Sequence, residues 1–348
     1  MFSKSSHTGC QQENAMARVV RFHEAGGPEV LKIEQLDVPP PGKGEVQISV
    51  KALGLNRAES MFRRGEYIEQ PDFPARIGYE AAGTVAAVGP GGEGFKVGDA
   101  VSTIPAFSMN QYGVYGDLVS APVHAVAHHP ASLSWEQAAS IWMQYLTGYG
   151  ALIDIADLKA GDTLVIPAAS SSVGLAAIQI ANRVGATPIA LTRRSSKRQA
   201  LMDAGATHVV ATDEQDLVKE ILGLTGGKGA RVVFDPVGGL TMEKLVGATM
   251  PHGIVFIYGA LSAEPTTVPA LELVAKSIVL RGFWLAEITL DPTRDPTRLE
   301  RGKRFVNEGL ADGSLKPIIA KIFPLEEIVE AHRYLESNQQ IGKVVVRV

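Results

Sequence analysis

The chain has 348 residues, 45% hydrophobic, 20% charged and 6% aromatic, with a formal net charge of −4. That length predicts two domains and a core large enough to fold without a disulfide or metal staple. The 33 Lys+Arg against 37 Asp+Glu argue against a broad basic face for duplex nucleic acid. The single cysteine, Cys10, excludes an internal disulfide and a Cys-based zinc ribbon, and fits a reducing, cytoplasmic compartment. No apolar run reaches the roughly 18 residues that a membrane-spanning helix needs.

Residues 1–15 are polar and read as a disordered leader, or as sequence upstream of a second start at Met16. Residues 17–129 then read as mostly β. Strands are expected at Ala17–Phe22, Glu45–Ala52, Gly83–Val88 and Ala100–Ile104. Val46, Ile48 and Val50 alternate with polar residues, as in a half-buried strand. Pro39-Pro40-Pro41-Gly42 and Gly89-Pro90-Gly91-Gly92 punctuate them, which suits a barrel-like or sandwich domain. The pattern changes near residue 130, where Ser134–Ala151 reads as a helix capped by Ser134.

Strand and helix then alternate: strands at Thr163–Pro167, Thr187–Leu191, His208–Ala211, Arg231–Phe234, Gly253–Ile257 and Ser277–Leu285, and helices at Val173–Val184, Ser196–Ala204, Gln215–Leu222 and Met242–Thr249. Such βα repetition implies a doubly wound parallel sheet over 130–287. A polar Asp291–Asp295 loop, helices at Leu299–Gly309 and Leu325–Ser337, and a final strand Lys343–Val348 complete the chain. This tail, 288–348, is expected to rejoin the first domain, 16–129.

The first strand of the parallel sheet runs into Pro167-Ala168-Ala169-Ser170-Ser171-Ser172-Val173-Gly174 and then a helix. Amide N–H groups at such a helix start face an anion, aided by the helix dipole. The three positions where a dinucleotide fingerprint needs small residues hold Ala169, Ser171 and Gly174, only the last being glycine. The same residues also suit an ordinary strand–turn–helix with a serine cap. The second strand ends in Thr192-Arg193-Arg194-Ser195-Ser196-Lys197, and no Asp or Glu occurs from Thr163 to Met202. NAD sites place an acidic residue there, whereas a 2′-phosphate wants cations. Arg193, Arg194 and Lys197 therefore favour NADPH as cofactor.

The chain resembles the medium-chain dehydrogenase/reductase superfamily, and within it the zinc-independent quinone oxidoreductase branch. The resemblance runs from Ala17 to Val348 through Gly26-Gly27-Pro28-Glu29-Val30-Leu31, Gly54-Leu55-Asn56-Arg57-Ala58-Glu59, Gly78-Tyr79-Glu80-Ala81-Ala82-Gly83, Lys96-Val97-Gly98-Asp99 and Gln144-Tyr145-Leu146-Thr147. It implies an α/β fold, a GroES-like β-rich catalytic domain plus a Rossmann domain. The zinc relatives carry a Cys at the place of Asn56, a His at that of Tyr79 and a third ligand near Met143, so no metal is implied here. The branch's glycine-rich turn is replaced by Ser170-Ser171-Ser172-Val173-Gly174.

The implied reaction is hydride transfer from NADPH to a quinone or an α,β-unsaturated carbonyl, whose oxygen then needs a neutral hydrogen-bond donor. The resemblance places Asn56, Tyr67, Tyr79 and Gln144 as candidates, with structural roles open for Asn56 and Tyr67. Glu80 is expected to be structural, paired with an Arg, and Arg57 and Glu59 to fix the loop. Cofactor contacts implied are Thr147, Ser170, Ser171, Ser172, Val173, Gly174, Gly259, Ala260, Phe283, Trp284 and Lys343. Residues 103–115 either cap the cleft, with Met109, Tyr112 and Tyr115 shaping the acceptor pocket, or form a surface loop. A homodimer through residues 254–285 is also implied. Two rival readings are an enoyl-thioester reductase and a redox-inactive NADPH-binding protein with a structural or RNA-binding role.

Overall fold

The computed structural model describes residues 15–291 and 295–348. Cys10, the leader up to residue 14 and most of the Asp291–Asp295 loop lie outside the described residues.

The β-rich part contains β1 (Ala15–Phe22), β2 (Lys32–Val38), β3 (Glu45–Gly54), β4 (Ala75–Arg76), β5 (Glu80–Val88), β6 (Ala100–Thr103), β7 (Leu118–Pro122) and β8 (Val126–His128). β2, β1 and β4 form a small antiparallel sheet. β3 is the spine of the larger one. It pairs antiparallel with β5 and β7, placing Leu53 opposite Ala81 and Ile48 opposite Val119. Most of β3 is buried rather than half-buried. Reading the sequence missed β2, β7 and β8, which are short or carry charge on their exposed faces.

The parallel sheet contains β9 (Thr163–Ile166), β10 (Thr187–Thr192), β11 (His208–Ala211), β12 (Ala230–Asp235), β13 (Thr249–Ile257) and β14 (Val279–Gly282). Its order is β11-β10-β9-β12-β13-β14, every pair parallel. This is the 3-2-1-4-5-6 dinucleotide-binding order, with the strand order reversing between β9 and β12. Leu164, Val165 and Ile166, and Val232, Val233 and Phe234, are buried on both faces, as helix-covered parallel strands require. Strand β14 ends at Gly282, short of the predicted Leu285, and Phe283-Trp284-Leu285 leave the sheet for the cleft.

The helix expected over Ser134–Ala151 is broken. Trp135–Ala138 is capped by the Ser134 hydroxyl, the chain kinks, and Trp142–Gly148 continues into a π-helical stretch, Tyr149–Ile155. The kink sets the Ala139 carbonyl against Gly54 of β3, where a Cβ would come within 1.9 Å of that oxygen. Beyond it, the Trp142 indole donates to the Ser102 hydroxyl at 2.9 Å. These contacts tie the helix to the β-rich part.

Two further strands, β15 (Ile319–Pro324) and β16 (Lys343–Arg347), add parallel to each other, and β16 lies antiparallel to β3. The helix Arg298–Ala311 does not join that sheet. It packs on the Trp142–Ile155 segment, where a Cβ on Gly302 would meet Leu146 and Tyr149.

Beneath the β-rich part, the helix Ile328–Glu336 buries His332 beside Arg63. An Arg63 N–H donates to His332 Nδ1 at 2.7 Å, and a second Arg63 nitrogen pairs with Glu336 at 2.6 Å. Burial, then the adjacent guanidinium, pushes the His332 pKa down to about 3 from 6.5. The unfolded chain therefore takes up a proton near pH 6.5 that the folded chain refuses, so stability is lost as pH falls below 6.5. We expect His332 to contribute a loss of about 2 kcal/mol between pH 6.5 and about pH 5 in urea unfolding, at roughly 1.4 kcal/mol per pH unit. His332→Leu should flatten that dependence; an unchanged slope would show the ring is charged when folded.

Candidate functional site

The C-terminal ends of the parallel strands and the loops of the β-rich part enclose a cleft of about 1180 Å³. It contains the switch point between β9 and β12, where open parallel sheets bind ligands.

One end is polar. The turn after β9 places Ala168 at φ +48, and Ser170, Ser171, Ser172 and Val173 line the cleft where the helix Ser172–Arg183 begins. The Ser171 hydroxyl accepts the Gly174 N–H at 3.1 Å as the helix cap. Gly174 does not itself line the cleft. A Cβ there would meet the Ala169 backbone at 2.7 Å, so glycine brings helix and strand together and acts through packing. This explains why only the third of the three small positions had to remain glycine.

Beyond the turn, Arg193 and Arg194 are exposed and line the cleft, with Arg194 4.0 Å from Asp213. Lys197 is half-buried and engaged. Its ammonium donates to Ser170 Oγ at 3.0 Å, to the Asn338 carbonyl at 3.0 Å and to the Gln340 carbonyl at 2.9 Å. Burial, then Arg193, pulls its pKa below the usual lysine value. Gly259 and Ala260 after β13, Phe283 and Trp284 after β14, and Thr147 on the facing helix line the middle of the cleft.

Asp235 was not singled out from the sequence. It is buried at the end of β12, where its carboxylate accepts the N–H groups of Val237 and Gly238 at 2.9 Å each. Burial raises its pKa. It folds the Pro236-Val237 loop onto the cleft wall; an acid followed by Pro-Val-Gly-Gly at a strand end is the sequence signal.

The other end is apolar, with Leu55, Ala58, Met61, Ile68, Met143 and Leu285 around Tyr67. The Tyr67 hydroxyl accepts the Trp284 indole N–H at 3.1 Å and is also hydrogen-bonded by Tyr79. The Tyr67 hydroxyl thus takes one donor from the parallel-sheet wall while it lines the cleft. Burial raises the Tyr67 pKa above 10.0.

Three expected donors stand differently. Tyr79 is buried behind Tyr67, against Phe107, and does not line the cleft. Gln144 faces a small gap beside Leu175 and Gln179, because Met143 and Thr147, four apart on the helix, take the cleft face. Asn56 lines the cleft, but its amide nitrogen donates inward, to Gly54 O, Glu59 and Glu80 at 3.1–3.3 Å. Its amide oxygen accepts from Lys343 at 2.6 Å. Asn56 is therefore an organiser of buried charge and not a free donor.

Lys343 belongs to the same cluster. It is fully buried and pairs with Glu80 at 2.5 Å, where an arginine partner was expected. Glu80 also accepts the Met143 N–H at 3.0 Å. Glu59 accepts from Asn56, the Tyr79 N–H and the Tyr115 hydroxyl. Burial pushes the Glu59 carboxyl up, and those donors oppose it. Residues 103–115 neither cap the cleft nor form a surface loop. Met109 and Tyr115 are core residues, and the Tyr112 hydroxyl reaches Glu45 at 2.7 Å. Among the described residues, no three His, Cys, Asp or Glu side chains group as a metal site.

A Rossmann sheet and a GroES-like domain closing on one cleft define a two-domain oxidoreductase. Residues 42–131 match the family described as "Alcohol dehydrogenase GroES-like domain", and residues 172–295 that described as "Zinc-binding dehydrogenase". "Quinone oxidoreductase 1" of Escherichia coli (strain K12) is 33% identical over 331 residues, 94% of this chain and 98% of the relative. The structure of Escherichia coli quinone oxidoreductase complexed with NADPH superposes with a TM-score of 0.85 at 30% identity, covering 95% of this chain and 100% of that one. A structure described as an NAD-dependent alcohol dehydrogenase gives 0.86 at 34%, covering 95% and 99%. The chain belongs to the quinone oxidoreductase family of the medium-chain dehydrogenase/reductase superfamily.

Removing Lys343 would leave Glu80 buried without its cation. Lys343→Met is expected to cost about 3–5 kcal/mol in denaturant unfolding, and Glu80→Gln in the same chain to restore much of it. Equal stability of Lys343→Met and the parent would show that the ion pair contributes nothing.

Proposed function

We propose that the protein is an NADPH-dependent oxidoreductase that reduces quinones and α,β-unsaturated carbonyl compounds in the cytoplasm. Family membership and the NADPH complex of the Escherichia coli relative support the cofactor. The observation that carries the reaction is the Tyr67 hydroxyl, which accepts the Trp284 indole N–H and lines the apolar end of the cleft.

The residues present fit the cofactor. The Ser170–Ser172 turn offers helix N–H groups and hydroxyls to a pyrophosphate, and the bare Cα of Gly174 lets the helix approach closely. Arg193 and Arg194 offer guanidinium groups to a 2′-phosphate, with no acidic residue in β10 or its following turn. Gly259, Ala260 and Phe283 border the nicotinamide end, and Thr147 faces them. NADPH, when bound, supplies the hydride.

The acceptor carbonyl gains negative charge as it is reduced, and a neutral donor in an apolar site stabilises that charge without reorganising. Tyr67 holds its proton at neutral pH as any phenol does, and burial raises its pKa further. Trp284 comes from the parallel sheet and Tyr79 from the β-rich part, so the hydroxyl is held from both sides of the cleft. Asn56 and Lys343 act behind it through Glu80, fixing the start of β5 beside Tyr79 and the helix that carries Met143. Leu271, Val274 and Val279 are exposed beside edge strand β14, which suits a homodimer formed edge to edge.

The test is NADPH consumption with a benzoquinone, a phenanthrenequinone, a cyclic enone, an enal and crotonyl-CoA, each against an NADH control. We expect turnover of quinone or enone with NADPH. Tyr67→Phe should lower kcat by about 100-fold or more while NADPH still binds. Arg193→Ala with Arg194→Ala should raise the NADPH Kd by about 10-fold or more and leave NADH nearly unchanged. NADPH binding with no oxidation by any acceptor would overturn the reading, and preference for crotonyl-CoA would turn it to enoyl thioesters. For the dimer, Val279→Lys should halve the mass in sedimentation; a parent chain that sediments as a monomer rejects that interface.

A further inference from the structure

Two cations of the cleft converge on one residue that no sequence motif marks. Asn338 lies just beyond the helix Ile328–Glu336, on the crossover that carries the chain from that helix to β16. Its φ is +60, a left-handed conformation that Asn tolerates and most residues do not. Its carbonyl accepts the Lys197 ammonium at 3.0 Å, and its side-chain oxygen accepts the Arg57 guanidinium. Lys197 comes from the parallel sheet and Arg57 from the β-rich part, so Asn338 joins cations from both walls.

Neither cation has a carboxylate partner within ion-pair distance among the described residues. The other acceptors of Lys197 are Ser170 Oγ and the Gln340 carbonyl, both neutral. Both Arg57 and Lys197 line the cleft and both are partly buried. A cation removed from water and bonded only to neutral oxygens retains most of its attraction for an anion. Fixing it in advance lowers the entropy lost when that anion arrives.

We propose that Asn338 is the positioning residue for phosphate recognition in this cleft: from its left-handed turn it holds Lys197 and Arg57 beside the Ser170 turn, ready for the 2′-phosphate of a phosphorylated dinucleotide. The inference rests on the cofactor reading above. It also accounts for an ammonium whose three N–H groups are already engaged: the phosphate does not find a free lysine but one held in place, and exchanges with its neutral acceptors.

A capping role alone makes a different prediction. Glycine suits a left-handed position after a helix at least as well as Asn, so capping alone leaves Asn338→Gly silent. The experiment measures Kd for NADPH, NADH, 2′,5′-ADP and 5′-AMP by calorimetry on the parent, Asn338→Gly and Asn338→Asp, with thermal midpoints alongside. Asn338→Gly keeps the carbonyl and frees Arg57. It should weaken NADPH and 2′,5′-ADP about 3-fold or more, with NADH and 5′-AMP nearly unchanged and the midpoint retained. Asn338→Asp sets a carboxylate against Arg57 and adds a negative charge to the turn that holds Lys197, and should weaken the 2′-phosphorylated ligands about 10-fold or more, with less effect on the others. Equal losses for both ligand classes, or none in either variant, overturn the proposal. A parent chain that does not prefer NADPH to NADH overturns the cofactor reading first, and this inference with it.

Discussion

The buried ion pair between Lys343 and Glu80 is the contact on which the site depends. It joins the last strand of the chain to β5, under the floor of the cleft, and draws in Asn56 and Glu59. An ammonium and a carboxylate in an apolar interior are tolerated when further hydrogen bonds compensate the water they lose. That requirement is met by the Asn56 amide and the Met143 N–H, and through Glu59 by Tyr115 and the Tyr79 N–H. The strand carrying Tyr79, the helix carrying Met143 and the turn carrying Asn56 are thus locked to one another before any ligand arrives.

That locking divides labour between the walls. The parallel sheet presents the serine turn after β9 and the cations beyond β10, while the β-rich part presents Tyr67 over an apolar surface. Trp284 is where the two meet, since its indole crosses from the end of β14 to the Tyr67 hydroxyl. A donor held from both walls is oriented only when both are in place, so the chemistry is coupled to the packing between the two sheets. Lys197 and Arg57 make the corresponding link at the polar end of the cleft through Asn338.

Much of this was legible in local pattern. The parallel sheet followed from βα alternation, because buried parallel strands read as short apolar runs. The strand running into a serine-capped helix start was legible from its residues, and the cation cluster from the absence of acid over forty residues of an otherwise acidic chain. Errors fell where a side chain's direction mattered. Gln144 and Met143 are neighbours in sequence yet face opposite ways on one helix. Asn56 reads as a donor, and its donors are taken by carboxylates that meet only in the fold. The 103–115 segment reads as a cleft cap or a surface loop, yet Tyr115 is drawn into the core, where its hydroxyl meets Glu59, and Tyr112 is held by Glu45.

The sequence by itself determined the two-part architecture, the parallel sheet of its βα repeats, the family and the cation cluster after β10. These depend on periodicity, turn chemistry and composition, which act over a few residues. Only the tertiary structure decided which polar groups are free. Tyr67 and Trp284 are 217 positions apart, Asn56 and Lys343 are 287 apart, and Lys197 and Asn338 are 141 apart. A hydrogen bond consumes a donor wherever along the chain its acceptor lies, so the residue left able to act is known only once all the others have found partners.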